Sequence, residues 1–150
     1  MKTTPPRMIS TGQELSAALA DVPRELVGVD TEFVWERTYY PELGLIQLGF
    51  VDGTVLLLDM PALDDATPLV ELLAHPDTTC MLHDAKQDLE IIYQNTGALP
   101  AMVFDTRLAA GFTGRPATLS LAALVEEIIG DELPKGETLI VSRSLRSLAN

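Results

Sequence analysis

The segment Val27-Gly28-Val29-Asp30-Thr31-Glu32-Phe33 constrains this chain more than any other. It begins as a buried strand would, with Leu26, Val27 and Val29, and then places two carboxylates two residues apart. Side chains alternate along a strand, so Asp30 and Glu32 share a face. In a central strand a carboxylate without a partner is costly, so the pair calls for a reason. Converging carboxylates on a stiff element are a donor set that suits Mg2+ or Mn2+. The spelling alone is cheap in an acidic chain. Asp88-Leu89-Glu90 repeats it, but on a helix those residues point about 200° apart and cannot chelate as a pair. On spacing alone, a pair of solvated charges explains Asp30 and Glu32 about as well as a metal site does.

The surrounding pattern predicts a mixed α/β sheet flanked by helices. Thr11 is placed to cap a helix to about Asp21, which Pro23 ends. Leu26 to Phe33, Leu43 to Phe50 and Thr54 to Asp59 read as three strands, the last two joined by the turn signal Asp52-Gly53. Trp35 to Glu42 reads as a loop. Thr67-Pro68 opens a helix that stops before Pro76. Thr78 to Leu82 is a fourth strand, and Asp84 is placed to cap a helix from Ala85 to about Asn95. Val103-Phe104 is a short fifth strand, followed by a helix capped by Asp105. A last helix, capped by Thr118 and ended by Gly130, carries Leu121, Leu124, Val125 and Ile128 at helical spacing. An antiparallel meander followed by alternating units gives about five strands, one of them antiparallel.

A chain of 150 residues, 47% hydrophobic and 21% charged, is one globular domain with a real core. Its formal charge of −12 sets a puzzle, because proteins that grip nucleic acid by their surface are usually basic. Either nucleic acid is not the ligand, or metal and a few residues focus the binding, or a basic partner supplies the charge. The one cysteine, Cys80, excludes an intrachain disulfide and a cysteine-rich metal cluster, and fits a reducing compartment. Met1 to Ser10 lacks the apolar core of a signal peptide, and no apolar run reaches the length of a membrane span. The expectation is a cytoplasmic protein with no membrane partner.

Taken one at a time, the remaining polar residues have ordinary explanations. Asp88 lies about 60° from Ala85, on the flank of an inward stripe formed by Ala85, Leu89 and Ile92, and a first-turn acid is favoured there by the helix dipole. His83 at a strand end reads as a hydrogen-bonded structural residue. Asp105 reads as a helix cap. Tyr39-Tyr40 is placed either to stack a base or to pack beneath its loop. Arg115 and Lys135 read as solvated loop cations, and Cys80 as a core residue. No Gly-rich phosphate loop, Gly-x-Ser-x-Gly or His-Glu-x-x-His is present.

Together these segments resemble a known family. Val29-Asp30-Thr31-Glu32-Phe33, Thr38-Tyr39-Tyr40-Pro41 and Leu45-Ile46-Gln47-Leu48 resemble the first motif of ribonuclease D-like 3′–5′ exonucleases of the DEDD superfamily. The run from Leu82-His83-Asp84-Ala85 through Lys86-Gln87-Asp88-Leu89-Glu90 resembles the second. Phe104-Asp105-Thr106-Arg107, Leu124-Val125 and Lys135-Gly136-Glu137-Thr138 follow the later segments in order, and the likeness covers about residues 8 to 138. The resemblance implies a ribonuclease H-like fold and a metal-dependent exonuclease acting on single-stranded RNA 3′ ends, of the tRNA and structured-RNA processing type. It implies that Asp30, Glu32 and Asp88 are catalytic and hold two Mg2+ or Mn2+ ions about 4 Å apart. It assigns Thr31, Phe33, Tyr40, Gln47 and His83 to substrate contact.

The likeness has one departure. The family's third motif, Tyr-x-x-x-Asp, completes the metal site, yet no tyrosine follows Tyr93 and no aspartate follows Asp131. The expectation is an exonuclease domain over residues 1–138, C-terminally incomplete, and a divergent tail over 139–150, from truncation or a frameshift. Hydrolysis by such a chain is expected to be weak. Two alternatives are a catalytically impaired nucleic-acid-binding or interaction module and a DNA-directed exonuclease, since preference for RNA depends on contacts to the 2′-hydroxyl.

Overall fold

The structure, a computed structural model, describes residues 5–34, 41–116 and 118–130. Tyr40, Lys135 and everything expected of the segment after Thr138 lie outside them. The elements run β1 (Arg7–Ile9), α1 (Gly12–Ala20), β2 (Leu26–Val34), β3 (Glu42–Phe50), β4 (Val55–Asp59) and α2 (Thr67–Ala74). They continue with β5 (Thr79–Leu82), α3 (Lys86–Thr96), β6 (Met102–Asp105), α4 (Thr106–Phe112) and α5 (Leu121–Ile129).

The described strands form one six-stranded sheet in the order β1-β4-β3-β2-β5-β6. Only β3 runs against its neighbours; the pairings β1–β4, β2–β5 and β5–β6 are parallel. The expected fold class with its single antiparallel strand is therefore present, with one strand more than expected. The extra strand, β1, is only three residues long, too short for alternation to reveal it, and it forms by pairing with β4.

Register divides the sheet into two unlike faces. Val27, Val29 and Thr31 of β2 lie opposite Phe50, Leu48 and Ile46 of β3, and the last two lie opposite Leu56 and Leu58 of β4. This face is apolar apart from Thr31. It joins one continuous core with Leu15 and Leu19 of α1, Leu69, Leu72 and Leu73 of α2, and Ile91 and Ile92 of α3. The other face carries Gly28, Asp30 and Glu32 beside Gly49, Gln47 and Leu45. On that side an apolar cavity lined by Met81, Phe104, Ala110, Leu124 and Val125 separates β5 and β6 from α4 and α5.

Local chemistry explains most of the boundaries. Thr11 caps α1, its hydroxyl accepting from the Glu14 N–H at 3.2 Å. The Gly12 N–H donates to Asp64 Oδ1 at 2.8 Å, tying the start of α1 to the loop before α2. The approach is so close that a Cβ on Gly12 would lie 2.7 Å from Asp65 Cβ. Asp52-Gly53 makes the β3–β4 turn, with Gly53 at φ +91° and Asp52 accepting from the Thr54 N–H. Gly97 and Gly130 end α3 and α5 as expected.

Two caps differ from expectation. Ser120, not Thr118, caps α5, its hydroxyl accepting from the Ala123 N–H at 3.2 Å. The residue nearer the first apolar position satisfies the donor. Asp84 does not cap α3. The cap position is Ala85, which has no side-chain acceptor, and Asp84 takes a left-handed φ of +62° instead.

Candidate active site

The site forms where β2 outruns its neighbour. β5 pairs with β2 only across Leu26, Val27 and Gly28, while β2 continues to Val34. After Leu82 the chain turns through His83, Asp84 and Ala85 into α3. That helix begins alongside the stretch of β2 that β5 does not cover, and it carries Asp88 in its first turn.

Thr31 makes the link. Its hydroxyl donates to Asp88 Oδ1 at 2.5 Å, joining residues 57 apart in sequence. The buried residues at the start and middle of α3 are Ala85, Ile91 and Ile92, whereas Leu89 is half-buried. Asp88 is one turn from each of the three, so it sits in the inward stripe and not on its flank. The expected stripe of Ala85, Leu89 and Ile92 does face the core, and Ile91 widens it on the side of Asp88.

Asp30 occupies the other face of β2, half-buried and opposite Gln47. Burial and then the negative charges of Asp88 and Glu32 push its carboxyl from 3.8 up to about 7. Burial also raises Asp88, against the opposing hydrogen bond from Thr31. The charge of Asp84 adds to the rise. Glu32 is exposed and sits just before a register shift between Glu32 and Phe33. Thr31 and Asp88 thus lie on the core side of β2 and Asp30 and Glu32 on the other, and the charges of Asp88 and Glu32 both act on Asp30.

The other residues assigned by resemblance fall into distinct settings. Thr31 is buried at 6% exposure, and its hydroxyl is engaged by Asp88. Phe33 is half-buried and packs against the core. Gln47 is 5% exposed and is the direct cross-strand neighbour of Asp30. His83 Nε2 donates to the Leu119 carbonyl at 3.1 Å, and Nδ1 lies 2.9 Å from the Thr106 hydroxyl. It clasps β5 to α4 and to the loop before α5, the structural part that its strand-end position suggested. Cys80 is buried in the core, and burial pushes its thiol up to about 12. Arg115 is held in an ion pair with Glu127 at 2.9 Å, so it is not the solvated cation expected.

Residue-by-residue reading missed Asp105 as more than a cap. Its carboxylate accepts from the Arg107 and Leu108 N–H groups of its own helix, as expected. It also accepts from the Asp84 and Ala85 N–H groups at the start of α3. No signal in the spacing announces this, because the two helices meet only through the β5–β6 pairing.

Among the described residues no group of three or more His, Cys, Asp or Glu side chains is arranged to hold a metal ion. A group of three is not what the chemistry requires. Mg2+ commonly takes one or two carboxylates and completes its shell with water and substrate phosphate. Asp30 and Asp88, whose charges interact and whose oxygens are hard donors, are the type of ligand such an ion takes.

A family model described as 3′–5′ exonuclease matches residues 6–142. Ribonuclease D of Desulfotalea psychrophila is 51% identical over 132 residues, and ribonuclease D of Escherichia coli is 42% identical over 135. These alignments take in 87% and 88% of this chain and 35% of each relative, so the chain spans about a third of the curated relatives it matches. The crystal structure of Escherichia coli RNase D, described as an exoribonuclease involved in structured RNA processing, superposes with a TM-score of 0.83 at 33% identity. That superposition covers 97% of this chain and 43% of the other. The catalytic core of Trypanosoma brucei RRP6 superposes at 0.77 with 21% identity, covering 89% of this chain and 37% of that one, and shares the fold. The chain belongs to the 3′–5′ exonuclease domain family and within it is similar to the ribonuclease D proteins.

Proposed function

We propose that this domain removes nucleotides from RNA 3′ ends by metal-dependent hydrolysis, with Asp30, Glu32 and Asp88 as the residues that hold Mg2+ or Mn2+. The observation that carries the reading is the meeting of Asp88 with the Asp30–Glu32 strand through Thr31. Burial and the charges of Asp88 and Glu32 penalise the ionised Asp30 carboxylate, a penalty that a bound cation would relieve. Divalent ions held there supply two things: activation of the attacking water and charge relief for the leaving 3′-oxygen.

The chain's own residues supply the rest. Asp30 and Glu32 present their oxygens from a strand stiffened by pairing with β3. The Thr31 hydroxyl holds Oδ1 of Asp88 and so fixes the orientation of that carboxylate. Gln47, the buried cross-strand neighbour of Asp30, lies on the same face of the sheet, which supports a part for it in holding Asp30. The acidic surface is no obstacle once the cluster is neutralised, because the ions let an acidic pocket accept a phosphate. The names of the similar proteins favour RNA over DNA. Among the described residues no helix is long and apolar enough to cross a membrane.

The test is incubation of the chain, in excess over a labelled single-stranded RNA or DNA oligonucleotide, with Mn2+. The expected result is shortening from the 3′ end with release of nucleoside 5′-monophosphates, faster on RNA and lost in Asp30→Asn. No shortening at any Mn2+ concentration, or shortening that survives Asp30→Asn, overturns the reading.

A further inference from the structure

We infer that Asp105 is a positioning residue for the metal site, acting on Asp88 through the start of α3. The inference rests on the proposed function of Asp88 and extends it to a residue that touches neither metal nor substrate.

The geometry begins at the end of β6, where Asp105 lies opposite Leu82, the last residue of β5. From there its carboxylate reaches two helices at once. Oδ1 accepts from Arg107 N at 2.8 Å and from Leu108 N at 3.2 Å, which caps α4. Oδ1 also accepts from Asp84 N at 3.2 Å, and Oδ2 accepts from Ala85 N at 2.9 Å. Capping α4 requires only one oxygen, and Ser, Thr or Asn provides one as well. The second oxygen is spent on α3, whose own cap residue, Ala85, has no side-chain acceptor. The backbone that leads into α3, including the N–H of its cap residue, is thus held from another element.

The turn being held is one that resists its shape. Asp84 has a positive φ, a left-handed conformation that is strained for a side-chain-bearing residue and is kept where its surroundings hold it. Asp105 grips the backbone of that turn, and Arg107, which follows in α4, pairs with the Asp84 carboxylate. Asp88 stands three residues beyond Ala85, one helical turn. A shift in the start of α3 therefore passes directly to the carboxylate that Thr31 orients. Outer partners of this kind set ligand orientation at metal sites, and their loss typically weakens metal binding about 10–100-fold.

Asp105→Asn removes the bond to Ala85 and spares those made by Oδ1. The Asn carbonyl oxygen keeps the α4 cap, while its amide nitrogen faces the Ala85 N–H and cannot accept from it. Ser120→Ala, which removes the cap of α5, is the control for loss of a cap elsewhere. Mn2+ binding to the full chain is measured by titration calorimetry, and the metal-free proteins are compared by their amide NMR spectra. The expected result for Asp105→Asn is a Mn2+ dissociation constant raised about tenfold, with displaced amide resonances of Thr31 and Asp88. Ser120→Ala is expected to lower the melting temperature and to leave both readouts at parent values. A Mn2+ constant for Asp105→Asn within twofold of the parent overturns the inference. If the parent does not bind Mn2+, the metal-site reading fails instead, and the NMR comparison alone decides whether Asp105 positions Asp88: unmoved Thr31 and Asp88 resonances refute it.

Discussion

The two faces of β2 obey opposite rules. On one, Val27 and Val29 meet Leu48, Phe50 and three helices, and nearly every side chain is apolar and closed to water. On the other, Asp30 and Glu32 share a patch with Gln47, and burial and charge work against each other. The first face holds the domain together. The second draws on that stability, since its carboxylates are kept close only because the first face fixes the strand and α3. Function at this site is therefore a cost carried by the core, as is usual where charged groups are assembled.

Substitutions can break this contrast, beginning with the largest effect. Leu58→Ala, at a fully buried position of β4 remote from the carboxylates, should lose about 2–5 kcal/mol in urea unfolding. Its Mn2+ affinity in the folded state should match the parent, and a large change would show that the faces are coupled. Gly12→Ala should lose about 1–3 kcal/mol, because the added Cβ meets Asp65 at 2.7 Å and the backbone there must move. Thr31→Val keeps the shape of the side chain but leaves Asp88 half-buried without its donor. It should lose about 1–2 kcal/mol at pH 8 and weaken Mn2+ binding, a double effect that a purely structural threonine would not give.

Asp30→Asn should act in the opposite sense on stability. The Asp30 carboxyl titrates near 7 in the folded chain and at 3.8 ordinarily, so its ionised form is the penalised one. The penalty is absent below the ordinary value, grows as pH rises from there, and is complete above the folded value. Melting temperature at pH 8 should rise by about 2–4 °C in the variant, near 1 kcal/mol after allowing for solvent screening, and the gain should vanish near pH 4. Equal melting at both pH values would remove the repulsion argument. In the parent, Mn2+ affinity should fall as pH drops below about 7, where Asp30 takes up a proton.

Much of this was legible in the chain, for identifiable reasons. β2, β3 and β4 announce themselves because their alternation and the Asp52-Gly53 turn agree, and α1 because Thr11 caps it as its position suggests. Asp30 and Glu32 can be placed on one face from strand period alone. Asp88 needed more, since only packing shows that Ile91 widens the inward stripe on its side. β1 and the hold on the start of α3 are invisible for a common reason. Each exists through a partner far away in sequence, β4 in one case and Asp105 in the other. Tertiary contact, not local preference, creates them.

The short parallel pairing of β2 with β5 has a kinetic consequence. Asp30 and Asp88 come together only after that pairing closes a loop of more than fifty residues, with an intact β3–β4 hairpin inside it. Closing such a loop has an entropic cost that local structure cannot repay in advance. The hairpin is free to form early, but the carboxylate cluster is assembled only late. A chain leaving the ribosome thus brings Asp88 to Thr31 only once it has folded through β5 and into α3.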